Sequence, residues 1–315
     1  MQQQAVAVVG YGAQGRAHAL NLRDSGAIVR IGLHPGARRQ DEARADGFMP
    51  VASRDAVTEA AVVALMVPDE VIPDVLAEIR EVLAPGAAIV LAHGYAYRYA
   101  VSPWPADCDA VLVAPMGQGR AVREAYVAGG GIPAFLAVHR DATGQARDKA
   151  EAYARALGAH RAGLHWGTVA EETEVDLFAE QAVLVGGVET LVREAFSVLV
   201  EAGYPEEVAY FSCLHELKLV VDLLHEGGLA GMSRQISNTA EFGALWARGH
   251  YSRAPIREAM ERMLADIREG TFASAWSAEA GAGLPRLSAE RAATAAMPLE
   301  RVGEALRARL ARKTP

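Results

Sequence analysis

The chain has 315 residues, 51% of them hydrophobic, and a formal net charge of −8. That length suits two domains of ordinary size, and the acidic balance argues against a broad nucleic-acid or anionic-membrane surface. Two cysteines, no recognisable leader and no apolar run of about 18 residues predict a cytoplasmic protein with free, inert thiols at Cys108 and Cys213.

The first half alternates between strand and helix signals. "AVAVVG" is a buried-strand run ending at Gly10, and a helix follows through Leu22. "AIVRIGL" and "AVVALMV" are the second and third strands, and a helix spans about Asp69 to Leu83. "AAIVLAHG", "DAVLVAP" and "AFLAVH" are further strands, and a helix from about Gly144 to Leu157 closes the set. This order predicts a parallel sheet covered on both faces. The texture changes near Gly167. Helical periodicity runs through 172–202, 205–226, 234–248, 255–269 and near 297–311, with breaks at Gly186-Gly187, Gly203, Gly227-Gly228 and Gly270. The expected division is therefore an α/β domain over 1–166 and an all-helical domain over 167–315, the latter a tightly wound bundle that needs a partner chain to cover its apolar faces.

Gly10-Tyr11-Gly12-Ala13-Gln14-Gly15 forms a G-x-G-x-x-G directly after a strand and before a helix. In that context the first glycine makes the turn, the second admits a pyrophosphate, and the third allows close helix packing. The loop after the second strand is where the adenosine ribose of a dinucleotide lies. There Arg38 and Arg39 suit a 2′-phosphate, whereas Asp41 suits free ribose hydroxyls, so NAD and NADP both stay open. Val67 and Pro68, after the third strand, are grouped with the cofactor contacts. His93 follows another strand's C-terminal end and is a candidate acid, base or cofactor contact.

"TEVDLFAEQAVL" carries Asp176 and Glu180 four residues apart in an apolar helix, so both carboxylates share one face and repel. "CLHELKLVVDLLHEGG" places Glu216 and Asp222 in a second apolar helix. Such acids are costly unless a cation is bound; oxygen ligands suit Mg²⁺, and salt bridges to Lys or Arg are the alternative.

Longer stretches carry a resemblance: "GYGAQGRAHALNLRDSG", "AHGY", "GGGIPAFLAVHRDATG", "EETEVDLFAEQAVLVGGV", "CLHELKLVVDL", "ISNTAE" and "GTFASAW". Over nearly its whole length the chain resembles ketol-acid reductoisomerases of the short, class I type. The resemblance implies a Rossmann domain followed by a knotted helical domain. It also implies NAD(P) and two Mg²⁺ ions as cofactors, and a homodimer or larger homo-oligomer with a shared site. The implied chemistry is alkyl migration in a small acetohydroxy acid, followed by ketone reduction. Carried over residue by residue, Asp176, Glu180 and Glu216 match metal ligands, Ser237 matches a substrate contact, and His93 matches the essential histidine. Glu216 and Ser237 join His93 as the expected catalytic group. Mg²⁺ would then offset the repulsion between Asp176 and Glu180.

Two departures bear on chemistry. Ser212 stands where the family has a glutamate four residues before Glu216, and Met116 stands where the loop "APMGQG" ordinarily has a lysine. Alkyl migration needs two metal ions on two oxygens, whereas hydride transfer needs less. The expectation is retained cofactor binding and reduction, with ordinary isomerisation reduced. One retasked relative is similar in spirit, a cyclopropanol-forming enzyme of bacterial specialised metabolism that acts on a dihydroxy sulfonium acid. Against such a cation Met116 would be a soft contact, and Trp166 a cation–π contact if it faces the site. A conventional reductoisomerase, another dehydrogenase or imine reductase, and a non-catalytic NAD(P)-binding paralogue are the alternatives.

Overall fold

The computed structural model describes residues 4–311. They form two compact units, divided between Val175 and Asp176.

In the first unit, strands β1 (Ala5–Val9), β2 (Ile28–Gly32), β3 (Val62–Leu65), β4 (Ala88–Leu91), β5 (Asp109–Pro115), β6 (Ala134–Arg140) and β7 (Leu164–Trp166) make one sheet, ordered β2-β1-β3-β4-β5-β6-β7. Helices α1 (Ala13–Asp24), α2 (Gln40–Ala45), α3 (Ser53–Val57), α4 (Ile72–Ile79), α5 (Tyr95–Arg98), α6 (Gly119–Val127) and α7 (Ala146–Ala156) connect the strands. Side chains alternate along a strand, so Val6 and Val8 enter one core while Ala7 and Val9 enter the other. Both faces are covered, which is why the strands read as unbroken apolar runs.

The sheet is not wholly parallel. β5 and β6 pair antiparallel, with Pro115 opposite Ala134. The cause lies in the connection: α6 is nine residues long, and the turn through Gly129, whose φ is +81°, returns the chain to the end of β5 that it left. Met116 N–H donates to the Pro133 carbonyl at 2.8 Å there, so β6 can only run back. β7 adds an unexpected seventh strand, parallel to β6. The helix expected over 69–83 is shorter: a 3₁₀ turn, Asp69–Val71, leads into α4.

Helix α8 (Val169–Ala179) crosses the division between units. Its first turns belong to the first unit, because Glu172 accepts a hydrogen bond from Gly94 and Arg98 pairs with Glu174 at 3.1 Å.

The second unit is helical: α9 (Gly186–Glu201), α10 (Glu206–Tyr210), α11 (Leu217–Ser233), α12 (Asn238–Ala247), α13 (Arg253–Glu269), α14 (Thr271–Gly281), α15 (Pro285–Ala295) and α16 (Pro298–Ala311). The last expected helix coincides with α16, while α14 and α15 occupy a stretch in which no helix was expected. The two long expected helices are each interrupted. π-Helical turns occupy Glu180–Leu184, between α8 and α9, and Phe211–His215, between α10 and α11. A small core of Val192, Phe196, Ala209, Tyr210, Leu299 and Leu306 joins α9, α10 and α16.

Candidate active site

The glycine-rich turn joins β1 to α1. Gly10 has φ +98°, and a β-carbon there would meet the Met66 carbonyl oxygen at 2.4 Å. Gly15 is closed in the same way by the Gly10 carbonyl oxygen, also at 2.4 Å. At Gly12 a β-carbon would meet nothing within 4 Å. The first and third glycines are therefore required by the protein's own packing. The second leaves open space at the N-cap of α1, a helix with no acidic residue in its first turn. That is the arrangement for an anionic pyrophosphate: unpaired helix N–H groups, the positive end of the dipole and no side chain in the way.

The loop after β5 is welded to this turn. A β-carbon on Gly119 would lie 2.1 Å from the Ala13 carbonyl oxygen, and Gln14 Nε2 donates to the Gly117 carbonyl at 2.9 Å. Met116, 54% exposed, sits in that loop. Beyond β2, Arg39 pairs with Glu42 at 2.6 Å and Arg44 with Asp41 at 2.8 Å. Arg39 and Asp41 are thus engaged along α2, and Arg38 is exposed beside them.

β3 and β4 are neighbours, so the loops at their C-terminal ends adjoin. Val67 and Pro68 lead to Asp69, whose carboxylate stands 3.8 Å from His93 Nδ1. His93 also stacks on Tyr95, with ring centroids 6.4 Å apart. The next residue, Gly94, donates its N–H to Glu172 Oε2 at 2.8 Å. Glu172 is 8% exposed, and its ligand atoms and those of His93 lie within 4.8 Å of one another. Asp176 follows Glu172 one turn further along α8. The Glu172 and Asp176 carboxylates, four residues apart on one helix, are oxygen donors of the kind magnesium takes, so these residues fit it.

Neither Asp69 nor Glu172 was singled out from sequence. The signal for Glu172 was available: it precedes Asp176 by four residues, the same interval that separates Asp176 from Glu180.

In the second unit, Glu180 opens the first π turn, while Ser212 lies inside the second and Glu216 follows it directly. π turns concentrate at functional sites because an extra residue in one turn re-aims the side chains around it. Here both fall on the candidate ligand positions. Asp222 pairs with Lys218 at 2.5 Å, so it takes the salt-bridge alternative. Ser237 caps α12, its hydroxyl accepting from Ala240 N–H at 3.1 Å.

Trp166 carries the Arg147 guanidinium 3.8 Å over its ring. It lies in the first unit, partly buried against the core. The expected cation–π contact exists, but its cation is the protein's own arginine, which corrects the expectation of a substrate contact at that ring face. Burial raises Cys108 to a pKa of about 11 and also raises Cys213, in keeping with inert thiols.

Residues 1–163 match the family profile described as the NADPH-binding domain of acetohydroxy acid isomeroreductase. Residues 169–312 match that of the ketol-acid reductoisomerase C-terminal domain. Among solved structures, an NADH-preferring ketol-acid reductoisomerase from an uncultured archean is 40% identical, with a TM-score of 0.92, covering 96% of this chain and 94% of that one. A putative oxidoreductase from Jannaschia sp. is 18% identical, with a TM-score of 0.63, over 86% of this chain and 98% of that one. A semialdehyde dehydrogenase NAD-binding protein from Cupriavidus necator is 20% identical, with a TM-score of 0.60, over 85% of this chain and 99% of that one. These two share the fold alone. With both halves of the chain matched, and with a nicotinamide-binding first domain joined to a helical second one, the chain belongs to the ketol-acid reductoisomerase family of oxidoreductases and isomerases.

Proposed function

We propose that this chain is a magnesium-assisted, NAD(P)H-dependent reductase of a small hydroxy-keto acid, in which the isomerising half of the family's reaction is weakened. The observation that carries this reading is selective. The Gly12 opening and the Glu172 bond to the loop of His93 are present, while Ser212 and Met116 stand where the family resemblance implies a glutamate and a lysine.

A bound nicotinamide supplies the hydride, and bound magnesium draws charge from the substrate oxygens. The chain's own part is positioning and proton management. Open space at Gly12 and the start of α1 hold the pyrophosphate. Glu172 fixes the loop at Gly94 and thereby the neighbouring His93, which Asp69 faces from the other side. In this reading His93 delivers a proton to the carbonyl oxygen as it is reduced. Asp176 and Glu180, with Glu216, are the carboxylates that would hold metal. Ser212 offers a neutral hydroxyl where the resemblance implies a glutamate, so it would hold a second ion more weakly, by about 10–100-fold on the sensitivity of other metal sites. Migration needs charge stabilised on two oxygens at once, so it suffers more than reduction does.

The specific form of this reading is a role in specialised metabolism, cyclopropanol formation from a dihydroxy sulfonium acid. Its support is the loss of a lysine charge and the gain of the exposed thioether of Met116. Trp166 no longer adds to it, since Arg147 covers that ring. The conventional reductoisomerase of branched-chain amino-acid synthesis is the second reading, favoured by the 40% identity to an NADH-preferring ketol-acid reductoisomerase. A non-catalytic paralogue is disfavoured by the intact His93 and Glu172 geometry.

A homodimer belongs to the same proposal. Exposed apolar side chains recur along the second unit, including Leu184 at 64%, Leu219 at 60%, Phe242 at 62%, Leu245 at 60% and Trp246 at 66%. A second copy of the chain is the cover this family supplies. Among the described residues no helix is long and apolar enough to cross a membrane; a cytoplasmic location is part of the proposal.

The test is NADH and NADPH oxidation with a 3-hydroxy-2-keto acid, with magnesium and after chelation. Magnesium-dependent turnover supports the reading. No turnover with any hydroxy-keto acid, despite tight cofactor binding, would favour the non-catalytic paralogue.

A further inference from the structure

The glycine-rich turn is braced from outside by a residue that lies apart from the site described above. Asp46 follows α2. Tyr11, the residue between the first two glycines, is 2% exposed and donates its hydroxyl to Asp46 Oδ2 at 2.8 Å. Arg16, just past the third glycine, grips the same carboxylate twice: Nε to Oδ2 at 2.6 Å and a terminal nitrogen to Oδ1 at 2.8 Å. Asp46 thus joins the chain immediately before Gly12 to the chain immediately after Gly15. The ring of Tyr11 is held edge-on by Phe48, with centroids 6.1 Å apart. Arg23 donates to the Asp46 carbonyl at 2.6 Å and lies 5.0 Å over the Phe48 ring.

We infer that Asp46 is a positioning residue for cofactor binding, acting through Tyr11 and Arg16 to set the width of the turn that receives the pyrophosphate. The physical reason is geometric. Gly12 has open space where a β-carbon would lie, so on that side the turn is held by its flanking residues, Tyr11 and Arg16 among them. A bidentate arginine–carboxylate pair and a buried tyrosine hydroxyl are directional constraints, and both end on one carboxylate. Hydrogen bonding from Arg16, joined by Tyr11, keeps the Asp46 carboxyl below its ordinary range despite partial burial, so the charge persists at neutral pH. Because Asp46 also terminates α2, it ties the phosphate turn to the segment carrying Arg38, Arg39 and Asp41. The inference rests on the nicotinamide-binding domain and is independent of the metal and of the substrate.

The test is a double-mutant cycle with Tyr11→Phe and Asp46→Asn, read by titration with NADH and with ADP-ribose, which keeps the pyrophosphate and lacks the nicotinamide. Each single change is expected to weaken both ligands about tenfold, the worth of a strong hydrogen bond. The double variant should be no more than about twofold weaker than the worse single, since both act through one contact. Melting temperature is followed in parallel. Unchanged affinity with a lowered melting temperature would overturn the inference, as would losses that multiply in the double variant. If Asp46→Asn fails to fold, Tyr11→Phe still decides. It removes one hydroxyl and leaves the Arg16–Asp46 pair, and unchanged ADP-ribose binding in it would refute the role.

Discussion

Gly94 donates its backbone N–H to Glu172 at 2.8 Å, and a β-carbon on Gly94 would lie 2.7 Å from that same oxygen and 2.2 Å from Thr173 Oγ1. The backbone there is ordinary, φ −82° and ψ −2°, so glycine is required by space alone. Gly94→Ala must push the first turns of α8 away from the loop that carries His93. We expect a stability loss of about 1–3 kcal/mol, the usual cost of overpacking. Turnover should fall about 100-fold, as expected for a group misplaced by about 1 Å. Denaturant melts and steady-state rates together check this.

Gly12 and Gly10 should separate binding from folding. Gly12→Val has room in the protein, so its melting temperature should match the parent while NADH binding is lost. Gly10→Ala meets the Met66 carbonyl and needs φ +98°, so it should destabilise the fold itself. Calorimetric titration beside thermal melts distinguishes the two. Retained NADH affinity in Gly12→Val would place the pyrophosphate elsewhere.

Asp109 is fully buried at the start of β5 and receives Lys149 Nζ at 2.6 Å, Thr143 Oγ1 at 2.7 Å and two backbone N–H groups. Burial alone would raise its pKa, but these partners outweigh it and hold the group below its ordinary 3.8. A carboxylate depressed in the folded state contributes stability above its unfolded pKa and loses it as pH falls through the folded value. The parent should therefore hold this contribution at neutral pH and shed it only in acid below the ordinary aspartate range. Lys149→Met should cost about 3 kcal/mol at pH 7, the low end for breaking a buried pair, since Lys149 is partly exposed. Urea melts from pH 7 downward check both the size and the pH at which the difference from the parent narrows.

Much of this was legible in the sequence where the physics is local. The glycine turn, the apolar runs and the breaks at Gly203 and Gly270, with φ of +90° and +81°, need only neighbouring residues to be read. Other features depend on partners distant in sequence. Nothing within "AFLAVH" states a strand's direction; that is set by the return of the chain after α6. β7 is three residues long, too short for an alternation to show. α14, "TFASAWSAEAG", is rich in small residues and lacks a clear apolar stripe. The π turns at Glu180 and Phe211 arise from one residue per turn beyond the α-helical count, which a 3.6-residue period cannot reveal. Glu172 was passed over because an acid in the first turn of a helix ordinarily reads as a dipole partner. Its bond to Gly94 and its place beside His93 mark it as more.

Asp176 should matter to both halves of the family reaction, since it serves any retained ion. Asp176→Asn, or chelation of the parent, is expected to suppress ketone reduction by about 100-fold or more while leaving NADH affinity within about twofold. Equal loss of cofactor binding would show a damaged first unit instead.

The most direct measurement is the ratio of turnover on acetolactate to turnover on its pre-isomerised 3-hydroxy-2-keto acid, for the parent and for Ser212→Glu combined with Met116→Lys. If the lost glutamate and lysine have weakened migration selectively, the parent reduces the pre-isomerised acid at least about 100-fold faster, consistent with one weakened metal position. The double variant should then gain acetolactate turnover with simple reduction nearly unchanged. Parent turnover of acetolactate at roughly 1 per second or faster, an ordinary enzymatic rate, would contradict this and make the chain a conventional reductoisomerase with two tolerated substitutions.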